Sequence, residues 1–182
     1  MWFLFREEEF NLRVFLIAGR AGSGKDEVAG IIKKQMEKTL ITSFSKYIKM
    51  YAVDILNWNG LEGSKPRTFL QNMGEALRAD DENFLINRLI QDLNVYKEYF
   101  DNVVISDVRL INEVEMFKDI DIYDVVTIKL VANTSKRNLS SEERNHRTEI
   151  ELDNYNRFDY IIENKFDNSL EQNIMKILEE VK

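Results

Sequence analysis

Three short apolar runs stand out from a chain that is otherwise mixed: residues 13–18 (RVFLIA), 102–106 (NVVIS) and 125–131 (VVTIKLV). Each is brief and rich in β-branched or aromatic residues, the pattern of strands buried in a parallel sheet. Two weaker runs, 40–44 and 158–162 (FDYII), bring the expected strands to five. Helical spacing fills the gaps. Val28, Ile31, Ile32, Gln35 and Met36 share one face. Residues 47–58 carry helical periodicity and stop at Asn59-Gly60. Pro66 suits the first turn of a helix striped by Phe69, Leu70, Met73 and Leu77. Residues 84–99, 110–118 and 170–181 are the remaining helical stretches, while 133–145 is polar with no apolar period. Strands alternating with helical crossovers predict an open parallel sheet of the α/β class.

At 182 residues, 44% hydrophobic and 31% charged, the chain fits one domain, 1–182. It has no cysteine and one histidine, which excludes disulfides, thiolate metal sites, cysteine nucleophiles and multi-histidine zinc. The net charge of −7 argues against general binding to nucleic acid or anionic membranes. The opening MWFLF runs straight into Arg6-Glu7-Glu8-Glu9, lacks a basic start and is not expected to be a signal peptide. No apolar run is long enough to span a bilayer, so the cytoplasm is the expected location.

The stretch GRAGSGKD follows the first strand and opens a helix. Its first seven residues match the phosphate-binding form G-x-x-x-x-G-K-[ST], and this strand-to-helix setting is what such a loop requires. Gly19, Arg20, Ala21, Gly22, Ser23, Gly24 and Lys25 are its members. Glycines allow positive φ and close approach of backbone to an anion, and successive amides with a helix N-terminus supply positive charge. Lys25 would reach the β- and γ-phosphates. Asp26 stands where Ser or Thr is usual. It suits a helix start, where the dipole favours a carboxylate, and it also suits Mg²⁺, which takes hard oxygen ligands and keeps several waters.

Asp107 ends the NVVIS strand, on the sheet edge where α/β proteins bind ligands. It can serve magnesium's water shell or a substrate, or it can cap a helix. Arg109 is two residues on, with a planar fork suited to phosphate. Arg67, Gln71 and Arg78 are spaced to return to one helical face, which from spacing alone reads as a solvated surface. The polar insert 133–149 carries Lys136, Arg137, Arg144 and Arg147. It reads equally as a lid that brings cations over a transferring phosphoryl group or as an exposed loop whose arginines pair with Glu142 and Glu143. His146 can orient a loop, pair with Glu149 or be solvated.

Taken in order, these residues resemble the phage-type deoxynucleoside monophosphate kinases, within the P-loop nucleoside monophosphate kinases. The loop ends Ser23-Gly24-Lys25-Asp26, the family's own variant. Tyr47-Ile48-Lys49 is similar to the family's P-[LI]-K without the proline. PRTFLQNMGEALR (66–78) resembles its R-x-L-x-Q-x-L-G-T-[ED] helix through Arg67, Gln71, Gly74 and Glu75, with Met73 for leucine and no threonine. SDVRLINEVE supplies Asp107 and Arg109. HRTEIELD supplies His146, Thr148 and Glu149, and the final strand, turn and helix carry Asn164. The resemblance implies a three-layer P-loop fold with sheet order 2-3-1-4-5 and an N-terminal extension, 1–12. It places a nucleotide-binding helical region at about 45–100 and a lid at about 133–150. It implies ATP and Mg²⁺, with ATP on 19–26 and the metal at Asp26 and Asp107. The acceptor, a nucleoside monophosphate, would meet Lys49, Arg67, Gln71, Arg78, Arg109, His146 and Glu149. Lys25, Asp107, Arg109, Arg137 and Arg144 would be the catalytic set. Neither nucleic acid nor membrane is an expected partner, and a monomer or homodimer is expected. Two alternatives stay open: a phosphomevalonate-kinase-like enzyme, which shares the S-G-K-D loop, and a nucleotide-binding switch without turnover.

Overall fold

The computed structural model describes residues 12–133 and 145–181. Strand β1 (Leu12–Gly19) is the central strand, bonded in parallel to β3 (Asn102–Val108) on one side and β4 (Tyr123–Ala132) on the other. Beyond them lie β2 (Thr39–Thr42) and β5 (Tyr160–Asn164), giving a five-stranded parallel sheet in the expected order 2-3-1-4-5.

The period-2 alternation of β1 divides the core in two. Leu12, Val14, Leu16 and Ala18 face one side. There they meet α2 (Lys46–Leu56), α4 (Phe84–Tyr96), α5 (Ile111–Lys118) and the segment at 152–158. Phe15 and Ile17 face the other side, covered by α1 (Lys25–Gln35) and the C-terminal α7 (Ser169–Glu180). The result is a three-layer α/β fold. Between β2 and β3 lie α2, a single 3₁₀ turn (Glu62–Ser64), α3 (Arg67–Asp80) and α4. A short helix, α6 (Arg147–Ile150), precedes β5. Among the described residues no helix is long and apolar enough to cross a membrane.

Several boundaries differ from the sequence reading for physical reasons. Strand β2 ends at Thr42 rather than Phe44, because the amides of Phe44 and Ser45 turn towards Asp107. Pro66 caps α3 instead of entering it, and its carbonyl accepts the first helical bond from Leu70 N–H, 3.0 Å. Helix α4 stops at Tyr96 instead of running to 99. The described residues begin at Leu12, the first residue of β1, so the rest of the expected extension (1–11) lies outside them.

Candidate functional site

The carboxyl end of β1 turns into a glycine-rich loop, 19–24. Two positions there demand glycine. A Cβ on Gly19 would lie 2.7 Å from the carbonyl oxygen of Leu130 and 2.5 Å from Ser23 Oγ. Gly24 has φ +97°, and a Cβ there would lie 2.4 Å from Asn164 Nδ2. Asn164 is buried at the end of β5. It donates to the carbonyl of Ser23 (2.9 Å) and accepts from Phe166 N–H (2.8 Å), so the far edge of the sheet holds the loop in shape.

Lys25 is 8% exposed. Its ammonium donates to the carbonyls of Gly19 (2.7 Å) and Arg20 (2.9 Å). Burial, helped by the charge of Arg109, pulls its pKa down from 10.5 to about 7, against the opposing pull of Glu149, Asp26 and Asp107. Ser23 Oγ is buried with no hydrogen-bond partner among the described residues. Asp26 is exposed at the start of α1 and makes no side-chain hydrogen bond among those residues.

Arg20 and Ala21 lean the other way, onto the segment that carries α6. Arg20 grips Asp153 with two nitrogens, its Nε at 3.0 Å. The N–H of Ala21 donates to Glu149 Oε2 at 2.8 Å, and the other oxygen of Glu149 lies 2.8 Å from Arg109 Nη1. That ion pair is electrostatic, because the Nη1 hydrogens do not line up with an acceptor. Lys129 on β4 fixes the same segment by donating to the carbonyls of Leu152 (2.6 Å), Asp153 (3.0 Å) and Tyr155 (2.9 Å). His146 caps α6, its Nδ1 accepting from Thr148 N–H, and its Nε2 stands 2.9 Å from Glu75 of α3.

A cleft opens beside the loop, bounded by α2, α3, the end of β3 and α6. Its volume is about 150 Å³, room for many atoms where one water needs only about 10–15 Å³. Phe44, Ile48 and Leu70 give it an apolar wall. Five cationic side chains reach it: Lys49, Lys65, Arg67, Arg78 and Arg109. Helical spacing does bring Arg67, Gln71 and Arg78 to one wall. Arg67 and Lys65 both pair with Glu62, and Lys49 donates to Ser43 Oγ at 3.2 Å.

Asp107 also borders the cleft, but its oxygens accept from Phe44 N–H (2.8 Å), Ser45 N–H (3.1 Å) and Ser45 Oγ. Its capping role is therefore at the entry to α2, not at the helix that follows it. That following helix is capped by Glu113, which the sequence reading passed over. Glu113 Oε2 accepts from the N–H groups of Arg109 (2.7 Å) and Leu110 (3.0 Å). Burial pushes its pKa up to about 7, the backbone bonds and Arg78 opposing and Asp107 assisting. An acid three residues into a helix after a strand end is a readable capping signal. Lys129, another omission, showed as the one charge in an apolar strand. The expected lid residues Lys136, Arg137 and Arg144, with Glu142 and Glu143, lie outside the described residues.

Among the described residues no group of three His, Cys, Asp or Glu side chains could hold a metal alone. Asp26 at the start of α1 and Asp107 at the border of the cleft both favour the charged form of Lys25. That donor set fits Mg²⁺ arriving with a polyphosphate, which needs only one or two protein carboxylates.

No family model matches this chain, and no curated protein does. Among solved structures it is similar to TT1252 from Thermus thermophilus, at 18% identity and a TM-score of 0.53, over 93% of this chain and 95% of that one. At that identity the likeness is one of fold.

Proposed function

We propose that the protein is a nucleoside or deoxynucleoside monophosphate kinase, passing the γ-phosphoryl group of ATP to the phosphate of the acceptor. The observation that carries this reading is the span of Glu149. One carboxylate touches both the loop amide of Ala21 and Arg109 of the cleft. An anion seated on the loop and another in the cleft would therefore lie side by side, as donor and acceptor phosphates must for in-line transfer.

In this reading the loop amides and the N-terminus of α1 receive the ATP phosphates, and Lys25 leaves its two loop carbonyls for them. The acceptor's base lies against Phe44, Ile48 and Leu70 within reach of the Gln71 amide, and its phosphate meets Arg78 and Arg109. An acceptor phosphate oxygen forms the new P–O bond as the bond to ADP breaks. The arginines neutralise charge on the migrating group, and no general base is needed. Asp26, and Asp107 through water, would hold Mg²⁺, whose chemistry when bound is to neutralise the β- and γ-phosphates. A cytoplasmic location accords with this role.

The test is ADP release from ATP and Mg²⁺ with each common nucleoside and deoxynucleoside monophosphate in turn, and with 5-phosphomevalonate as control. Release with one or a few nucleotides is expected. Release with phosphomevalonate alone, or with nothing, defeats the proposal.

A further inference from the structure

One charged group beneath the cleft takes no part in the transfer as proposed. Glu113 is 1% exposed, yet it lines the cleft floor. One oxygen closes the backbone turn that presents Arg109, and the other lies 3.6 Å from Arg78 Nη2. Burying an ionised carboxylate is costly unless it is paired. One oxygen suffices for both amides and the second is left facing the guanidinium, so this single side chain ties the turn that carries Arg109 to Arg78.

A second feature holds Arg78 from the opposite side. Its guanidinium lies across Gly74, where a Cβ would be 2.9 Å from Nη1. Gly74 is the only buried residue of α3. The missing side chain is thus the channel along which Arg78, one turn on, reaches inward to Glu113.

We infer that Glu113 is a positioning residue that sets Arg78 and Arg109 as one unit towards a single phosphate in the cleft. The inference rests on the kinase reading above and deepens it. It differs from a simple capping role in one respect, for a cap would act on stability and would leave Arg78 and Glu113 energetically independent.

The experiment is a double-mutant cycle of Glu113→Gln and Arg78→Met, using the nucleoside monophosphate most rapidly turned over in the ADP-release assay. KM for acceptor and for ATP are read by kinetics, and acceptor binding by calorimetry. Each single variant is expected to raise acceptor KM about tenfold, with ATP KM changed less than twofold. The double variant is expected to resemble Arg78→Met alone, within about threefold, because the two residues act as a unit. Independent, multiplying effects, approaching a hundredfold in the double variant, would overturn the inference while leaving the kinase reading intact. Unchanged acceptor KM in Glu113→Gln, with only a lowered Tm, would overturn it too. If Glu113→Gln does not fold, Glu113→Asp takes its place in the same cycle, keeping the charge and shortening the reach. A wild-type protein that neither binds nor turns over any nucleoside monophosphate overturns the kinase reading and this inference together.

Discussion

Lys25 offers a measurement that separates a binding lysine from a structural one. Its ammonium is buried against two carbonyls and its pKa is pulled down to about 7. The distance from its ordinary 10.5 corresponds to roughly 5 kcal/mol of lost preference for the charged form. An incoming polyphosphate should restore that preference. At pH 8 only about one Lys25 in ten is charged before binding, so ATP should take up roughly 0.9 proton per site. At pH 6 about nine in ten are already charged and Lys25 contributes only about 0.1 proton. Calorimetry at pH 8 in two buffers of different ionisation enthalpy, with EDTA present, reads the number directly. ATP affinity should fall about tenfold for each pH step above 7, while the bound lysine stays charged. The Lys25→Met variant should bind weakly and take up no proton at this position. Zero uptake by the wild type at pH 8, or equal uptake by Lys25→Met, would refute the assignment of Lys25 as the group that meets the phosphates.

Three further outcomes are expected. Gly74→Ala should change stability by no more than roughly 1 kcal/mol, because alanine's advantage as a helix residue is offset by pushing Arg78 away from Glu113. The same variant should raise acceptor KM roughly tenfold or more by displacing that guanidinium, so kinetics should move far more than thermal denaturation. Glu113 titrates at about 7 when folded against an ordinary 4.5, so the native state binds more protons between those values. Stability at this group is therefore full below 4.5 and declines as pH rises to 7, by roughly 3 kcal/mol; urea denaturation across that window should show a decline that Glu113→Gln lacks. Asp26→Asn should lower turnover and raise the Mg²⁺ concentration needed for half-maximal rate, with a smaller change in ATP affinity; an unchanged magnesium dependence would leave Asp26 as a helix-start residue.

The layers of this molecule are legible in its sequence because burial on both faces leaves a plain signature. RVFLIA, NVVIS and VVTIKLV became β1, β3 and β4, and the glycine-rich loop was placed by its strand-to-helix setting. The strand order came from family resemblance, since periodicity does not reveal which strands are neighbours. Long-range polar contacts were the hidden part. Asp107 caps a turn 62 to 63 positions earlier in the chain, and Lys129 reaches carbonyls 23 to 26 positions later. Neither pairing leaves a local pattern. The convergence of Arg67, Gln71 and Arg78 was visible only as spacing, and it took the walls from α2 and β3 to turn a polar helical face into one side of a cleft.

The glycine-rich loop leaves the ribosome long before the asparagine on which its shape depends. Asn164 bonds to Ser23 across 141 positions, and the side of the sheet beneath α1 is closed by Leu170, Ile174, Ile177 and Leu178. During synthesis, Phe15, Ile17, Val28 and Ile32 have no finished layer to pack into until about the final dozen residues of α7 emerge. At about 5–20 residues per second, the interval between the loop and Asn164 is on the order of 7 to 30 seconds. A nascent chain stalled before β5 would carry the loop residues without the asparagine clasp or the helix that completes their support. The order of manufacture thus leaves the loop unsecured until β5 and α7 have been made.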